Sequence, residues 1–416
     1  MAKVVDKRTV GAWLLHHDQK LISTKTTEFE SIVTAGRSAR LLSVISREEE
    51  ATVSSERLQE LARGIGVRRI ELGGLLSELQ SHGLIHHGSD GVAVLGVSQV
   101  SLLDHASDIF EAQSPDGMER AVIHLSEMGS HSPIRRSDCA EELADTYSLS
   151  KPALDDVFLQ SEHIGFVDYE RDGMERLYFN GSLFKRNNAG KSRAILDNLN
   201  ETETKSLLVA EEALKQRGCL LADEIRHLLG PILWSKMHQI GFFEVSVVVN
   251  ERGSTEFVSK PEALVKYVPN GLADMLDDAK ALASSLTYGI IKSPPARGKI
   301  MDPFVLINVL INRGYVEGWA PAIKRDYQTL EKRGVVRVTE SERGNRLTLL
   351  KREVGQMARD LILRGDASAT AAEALIGNQV SRFLGPESAR MIERKKEIPE
   401  AKIAASRSLN ILRRAR

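Results

Sequence analysis

The sequence has few aromatic residues, few cysteines and no long apolar run. Aromatic residues make up 5% of the 416 residues, which argues against rows of stacking rings that grip single-stranded nucleic acid. Cys139 and Cys219 lie far apart without a CxxC partner, which argues against a disulfide framework or a thiolate zinc site and favours a reducing compartment. No apolar run approaches the roughly 18 residues that span a bilayer. We therefore expect a soluble, cytoplasmic protein with no membrane partner, associated with the nucleoid if its source is prokaryotic.

The chain also lacks an excess of charge of either sign. Its 56 Lys and Arg residues stand against 57 Asp and Glu residues, which gives a formal net charge of -1. Any surface for nucleic acid must then be a local patch rather than a property of the whole molecule. The length predicts two to four domains, because single cores stop growing well below this size.

The most informative pattern present is a helical run that ends at a glycine and is followed by a β-hairpin pattern. This pattern occurs four times, with stop glycines at Gly83, Gly165, Gly241 and Gly334. After each glycine come an apolar, β-prone segment, a polar turn that contains glycine, and a second β-prone segment. Glycine suits the left-handed residue that ends many helices, and a glycine turn between two β-prone runs predicts a hairpin.

Two shorter helical patterns and a turn precede each of these helices. In the second copy, Ser150-Lys151-Pro152 supplies a cap and a proline for the start of the third helix. The order helix, helix, turn, helix, hairpin resembles the winged helix-turn-helix superfamily, in which the third helix enters the major groove and the hairpin reaches phosphates or the minor groove. The resemblance implies either DNA binding or protein docking, because the superfamily contains both kinds of protein.

The predicted fold class is mainly α with short β-hairpins (α+β): an array of three to four winged helix-turn-helix domains with C-terminal helices and a basic tail. The irregular spacing of the stop glycines argues against a solenoid and favours separate domains. The predicted segments are an N-terminal arm (1–30), repeat 1 (31–100), repeat 2 (101–182), a linker (183–200), repeat 3 (201–265), a helical spacer with a Pro/Gly-rich linker (266–300), repeat 4 (301–352), and the C-terminal helices with the basic tail (353–416).

Basic residues near the third helix and the hairpin distinguish repeats 4 and 1. Lys and Arg are needed there because phosphate contacts supply most of the affinity for DNA. Repeat 4 ranks first, with seven basic against four acidic residues between Ala322 and Arg346. Repeat 1 ranks second because its hairpin turn has no basic residue, and a solvated helix face is the alternative for both. The predicted DNA-binding residues are Arg63, Arg68 and Arg69 in repeat 1, and Lys324, Arg325, Arg333, Arg343 and Arg346 in repeat 4.

Repeats 2 and 3 do not have the charge of a DNA reader. Between Ser150 and Phe179, repeat 2 has three basic against seven acidic residues, which would repel phosphate. The third helix of repeat 3 is too apolar to lie in a groove. Its apolar residues predict either a partner interface, with another protein or in a homodimer, or ordinary core packing; they are Ile232, Leu233, Trp234 and Met237.

The C-terminal tail is a third candidate contact with DNA. Between Arg390 and Arg416 it has nine basic residues against three glutamates, and Arg413 and Arg414 are its predicted DNA-binding residues. Pro399 interrupts any single helix there. A frayed terminus fits the same composition equally well.

The sequence contains no pattern of a catalytic, cofactor or metal site. Gly190-Lys191-Ser192 resembles the end of a phosphate-binding loop, but Lys185 stands where that loop requires a glycine. The histidines at 82, 86 and 87 have no carboxylate companion. We therefore expect no enzymatic activity, no cofactor and no metal.

Two hypotheses on function remain open at this point. The first is a protein that binds double-stranded DNA, either as a regulator or as a non-catalytic subunit of a DNA-processing or defence complex. The alternative is a scaffold subunit whose winged helices bind partner proteins instead of DNA. The placement of Lys and Arg in repeats 1 and 4 favours the first hypothesis.

Overall fold

The computed structural model describes residues 5–22, 28–48, 50–89, 91–96, 101–184, 186–268 and 273–376. Two compact units are present: an N-terminal unit up to Gly181 and a C-terminal unit of Ser182–Val268 and Leu272–Ala374. The described residues are mainly helical, with small antiparallel sheets of two or three strands, so the α+β class is confirmed. Most of the predicted basic tail, with Arg413 and Arg414, lies outside the described residues.

The N-terminal unit contains repeats 1 and 2. Before repeat 1 lies a helix that the sequence did not predict, and a further helix joins the two repeats. The elements are α1 (Lys7–Leu21); in repeat 1, α2 (Glu30–Ile45), α3 (Ser55–Gly64), α4 (Arg69–Ser81), β1 (Ile85–Gly88) and β2 (Gly91–Val94); the connecting α5 (Leu102–Ala112); and in repeat 2, α6 (Gly117–His131), β3 (Ile134–Arg135), α7 (Arg136–Tyr147), α8 (Lys151–Ile164), β4 (Asp168–Asp172) and β5 (Glu175–Phe179).

The C-terminal unit contains repeats 3 and 4. In repeat 3 the second and third helices form one element that is broken at Gly230, whose φ of 71° and ψ of 166° are not helical. The elements are α9 (Arg186–Asp197); in repeat 3, α10 (Glu201–Arg217), β6 (Leu220–Leu221), α11 (Ala222–Gln239), β7 (Glu244–Asn250) and β8 (Gly253–Ser259); then α12 (Glu262–Val265) and α13 (Ala273–Ile291); in repeat 4, α14 (Pro303–Arg313), β9 (Tyr315–Gly318), α15 (Pro321–Arg325), α16 (Gln328–Lys332), β10 (Val336–Ser341) and β11 (Gly344–Leu349); and finally α17 (Arg352–Arg364) and α18 (Ser368–Ile376).

The predicted helix stops and hairpins are confirmed in all four repeats. Gly83, Gly165, Gly241 and Gly334 follow the third helices with φ between 67° and 84°, in the left-handed region. An antiparallel hairpin follows each of them. The left-handed residue turns the chain out of the helix, so that the first hairpin strand can run back along it.

All four repeats also share a strand that the sequence did not predict. In repeats 2, 3 and 4 this strand lies between the first and second helices and pairs with the last strand of the hairpin, which gives a three-stranded antiparallel sheet. In repeat 1, Val53 alone makes the equivalent contact, as a bridge to Val92. Strands of two to four residues are too short for an alternating pattern to be recognised.

Residues 7–21 form a core helix and not the predicted N-terminal arm. Helix α1 packs against α2 and α5, and Trp13, Leu14 and His17 are fully buried. A helix that is covered on all sides needs no polar face and therefore shows no amphipathic period. Residues 1–30 show no regular spacing of apolar residues, and for this reason the sequence predicted an arm instead of a helix.

Two segments predicted as connectors also contribute to packing in the C-terminal unit. The predicted linker contains α9, and Ile195 and Leu196 pack against the core of repeat 3. The predicted spacer helix is confirmed as α13, but it packs against β7 and α17 and buries Leu282 and Ala283. Residues 183–200 are mostly polar, so the sequence did not indicate that a few apolar residues of α9 pack against the core.

The ends of α10 and α17 approach each other at two glycines, Gly218 and Gly365. A Cβ atom added at Gly365 would overlap the carbonyl oxygen of Lys215, and one added at Gly218 would overlap the carbonyl oxygen of Leu361. Both glycines also have positive φ. Repeat 3 can therefore pack against α17 only if neither helix end carries a side chain there.

We expect Gly365→Ala to destabilise the protein far more than Gly241→Ala. Both glycines have φ of 73°, so both variants lose about 1–2 kcal/mol from the left-handed conformation. A Cβ at Gly241 has no heavy atom within 4 Å, whereas one at Gly365 meets backbone, which should add about 1–3 kcal/mol. Urea unfolding of both variants measures the difference. Equal losses would contradict the close approach of α10 and α17.

Candidate nucleic-acid interface

Three arginines selected from the sequence of repeat 1 meet at one recess. Arg63 lies in the last turn of α3, Arg68 caps the start of α4, and Arg69 is the first residue of α4. With Gly66 and Leu72 they line a surface recess of about 370 Å³, here called the arginine recess. The short turn between α3 and α4 is what brings the end of one helix to the start of the other.

The three arginines differ in the partners that they already have. The guanidinium of Arg68 donates to Oε1 of Glu71, and the backbone N–H of Arg68 donates to Oε2 of Glu71 at 2.9 Å. The hydrogen bond from Arg68, together with the charge of Arg37, holds the pKa of Glu71 at about 2. Arg63 and Arg69 are exposed and form no side-chain ion pair with any residue that the structure describes.

The arginine recess has the chemistry of a phosphate site. The first N–H groups of a helix lack acceptors within the helix, and the helix dipole places partial positive charge at the same end. The exposed guanidinium groups of Arg63 and Arg69, which have no ion pair within the described part of the chain, lie beside that end of α4. Anions bind to such helix starts, and arginine adds paired donors that match phosphate oxygens.

The outward face of α4 has two positions without a side chain. Gly73 and Gly74 lie in the middle of the helix, and a Cβ at either position would have no heavy atom within 4 Å. Packing therefore does not require these glycines, although each costs a helix about 1 kcal/mol relative to alanine. The side chain of Ile70, in the same helix, is 87% exposed. It lies two residues before the buried Leu72, on the opposite side of the helix.

A buried ion network that the sequence did not reveal lies behind the arginine recess. Arg40, which is 1% exposed, donates to Oδ2 of Asp18 at 2.9 Å and to the carbonyl oxygen of Ile65 at 2.7 Å. Arg37 donates to Oε1 of Glu71 at 2.5 Å and to Oδ1 of Asp18 at 3.4 Å. Burial raises the pKa of Asp18, and the two guanidinium groups oppose that shift. The only local signal in the sequence is the position of Glu71 three residues after Arg68, from which its carboxylate accepts a hydrogen bond from the backbone N–H of Arg68.

Repeat 4 presents fewer unpaired cations than its sequence suggests. Its predicted third helix is divided into α15 and α16, so Lys324 and Arg325 lie in the second helix of the repeat and not at the start of the third. Lys324 is exposed and 3.5 Å from Glu340. Arg343 is exposed at the hairpin turn; its backbone N–H donates to Oγ of Ser341 at 3.2 Å, and its guanidinium has no partner among the described residues.

The other three predicted cations of repeat 4 hold the C-terminal unit together. Each is paired with a carboxylate from another element, and the carboxylate of Asp278 is buried. The pairs are Arg325 with Glu251 at 2.9 Å, Arg333 with Asp278 at 2.5 Å, and Arg346 with Glu317. A phosphate would have to displace these carboxylates, so Arg325, Arg333 and Arg346 do not form a ready site.

The predicted partner interface of repeat 3 is mostly core. Leu233 and Met237 are buried in the hydrophobic core of the repeat, and Trp234 is half-buried and packs against Phe243. Leu233 and Met237 lie four residues apart after the break at Gly230, so they face the same side of the helix. Of the four predicted residues only Ile232 is largely exposed, at 71%.

Comparison with known proteins gives no family assignment. No protein-family model matches the chain, and no curated protein matches it. Within the part of the chain that the structure describes, no helix is long and apolar enough to cross a membrane. The same residues contain no group of three His, Cys, Asp or Glu side chains that could hold a metal ion.

Proposed function

We propose that the protein binds double-stranded DNA, and that the arginine recess of repeat 1 is its main contact. The observation that carries the proposal is the convergence of Arg63, Arg68 and Arg69 at the start of α4. Support for a winged helix-turn-helix comes from the order of elements and the strand pairing that all four repeats share. In that fold the third helix, here α4, enters the major groove. The role we propose is that of a regulator or a non-catalytic subunit of a DNA-processing or defence complex.

The pairing of the arginines favours repeat 1 over repeat 4 as the main contact. Arg63 and Arg69 have no ion pair with the residues that the structure describes, so none of these pairs is lost when they bind phosphate. Arg333 would have to leave the buried carboxylate of Asp278, and that carboxylate would then keep only Lys351 as a cation, which costs free energy. Lys324 and Arg343 are the cations of repeat 4 that we propose for additional phosphate contacts.

The bare outward face of α4 supports insertion into the major groove. A helix with glycines on its outer face lets another surface approach the backbone closely. Ile70 next to them offers an apolar side chain of the kind that contacts the methyl group of thymine. Phosphate contacts by the arginine recess would fix the register, while this face would lie against the base edges.

We expect Arg63→Ala and Arg69→Ala each to weaken binding to duplex DNA and to reduce its salt dependence. Each lost phosphate contact should lower the slope of log K against log salt by about 0.9. Fluorescence anisotropy of a labelled duplex over a series of salt concentrations measures the slope. Arg333→Ala is the matched control: it should lower the stability of the protein and leave the slope unchanged. If neither arginine of repeat 1 changes the slope, the arginine recess is not the contact.

We expect Gly73→Ala and Gly74→Ala to have opposite effects on stability and on DNA binding. Each should raise the free energy of unfolding by up to about 1 kcal/mol, because alanine favours a helix and meets no neighbour. Each should also weaken duplex binding, because the new methyl group faces the groove. Unfolding curves and duplex titrations on the same samples separate the two effects. Unchanged affinity in both variants would show that this face of α4 does not approach DNA.

A protein-docking role is the second candidate, favoured by exposed apolar side chains around α14. Phe304 and Val305 on α14 are 63% and 53% exposed, and Met301, just before α14, is 83% exposed. Large apolar side chains that cluster on a surface mark interaction sites more often than isolated ones do. The occupant we propose to test is a second copy of the chain.

If α14 mediates self-association, the sedimentation coefficient should rise with protein concentration and Phe304→Ser should abolish the rise. Removing a central aromatic anchor typically costs about 2 kcal/mol or more of binding free energy. Val249→Ser is the control, since Val249 is an exposed apolar residue on β7. A single, concentration-independent species for the unaltered chain would reject self-association through α14.

A further inference from the structure

Glu71 is an acidic residue inside the proposed phosphate site. Its Oε1 accepts hydrogen bonds from both Arg68 and Arg37. A phosphate that approaches the arginine recess must compete with Glu71 for Arg68. Glu71 also repels that phosphate, unless its own charge is neutralised by another group.

Arg37 is placed to supply that neutralisation without touching DNA. Its guanidinium lies between two carboxylates, 2.5 Å from Oε1 of Glu71 and 3.4 Å from Oδ1 of Asp18. The side chain of Arg37 is 19% exposed, whereas that of Arg68 is 74% exposed. Arg68 is therefore free to turn outward to a phosphate, and Arg37 remains with Glu71 when it does.

The neighbouring Arg40 keeps this arrangement fixed. Through its bonds to Asp18 and to the carbonyl oxygen of Ile65, it ties α1 to the turn between α3 and α4. Asp18 and Arg40 are both almost fully buried. Moving either group away would leave a buried charge without its partner, which is strongly unfavourable. Arg37 is thus held beside Glu71 before any ligand arrives, which reduces the side-chain conformational entropy that is lost on binding.

From these contacts we infer that Arg37 is a positioning residue for DNA binding, which acts by neutralising Glu71 and thereby releasing Arg68 to the phosphate backbone. This inference rests on the proposed function. It assigns a role to a residue of the first helix of repeat 1, which is not itself expected to touch DNA. Its contribution must therefore depend on the charge of Glu71.

The test is a double-mutant cycle of Arg37→Gln and Glu71→Gln, measured by duplex titration across salt concentrations. Glutamine at 71 keeps the capping acceptor for the N–H of Arg68 but removes the charge. Glu71→Gln alone should tighten binding severalfold. Arg37→Gln should weaken binding about tenfold in the unaltered chain but only about twofold beside Glu71→Gln, since close charge pairs couple. Arg57→Gln and Glu60→Gln, an exposed pair on α3, form the control cycle and should show no coupling.

The outcomes separate the inference from the proposed function. If the unaltered chain does not bind duplex DNA at low salt, the proposed function fails and the inference fails with it. If the chain binds but Arg37→Gln weakens binding equally in both backgrounds, Arg37 has a merely structural role and only the inference is overturned. If Arg37→Gln lowers the salt slope as Arg69→Ala does, Arg37 contacts phosphate directly, and the positioning role is overturned as well.

Discussion

The N-terminal unit depends on a carboxylate that has no access to water. Asp18 is fully buried, and an ionised carboxylate in that position costs several kcal/mol unless cations and hydrogen bonds compensate. Arg40 and Arg37 on α2 provide the compensation, so α1 cannot shift relative to α2 without exposing unpaired charge. The same two arginines continue outward to the carbonyl oxygen of Ile65 and to Glu71. The position of the surface recess thus follows from an ion pair in the core.

The four repeats show how one backbone pattern accommodates different surfaces. Each keeps the closing strand or bridge and the left-handed glycine after its third helix, because these features fix the chain path. The charged residues on the surface do not determine the chain path, so they can differ from one repeat to the next. In repeat 2, Arg136 at the start of the second helix pairs with Asp155 on the third helix at 2.6 Å and lies over Phe158, so this cation is used within the fold. Shared topology therefore does not predict shared ligands.

Much of the local structure could be predicted from the sequence, because helix caps, stop glycines and hairpin turns are local signals. Ser54 and Ser150 cap α3 and α8 as their residue types suggest. The burial of α1 and the closing strands could not be predicted, since both depend on contacts with distant parts of the chain. The arginine recess was predictable as a set of residues but not as a site. Glu71 was visible in the sequence, whereas its bond to Arg37 requires the packing of α2 against α4.

Counting charges along the sequence ranked repeat 4 above repeat 1, but ion pairing removes Arg325, Arg333 and Arg346 from that count. A cation contributes to a binding surface only when its charge is not already compensated. In the C-terminal unit, Glu251 at the hairpin turn of repeat 3 accepts hydrogen bonds from both Arg297 and Arg325. Its carboxylate therefore occupies N–H donors of these guanidinium groups that a phosphate would need. Asp278 on α13 binds Arg333 and Lys351 in the same way. These paired cations connect elements of the C-terminal unit, and for this reason our proposal places the main phosphate contact at the exposed guanidinium groups of Arg63 and Arg69.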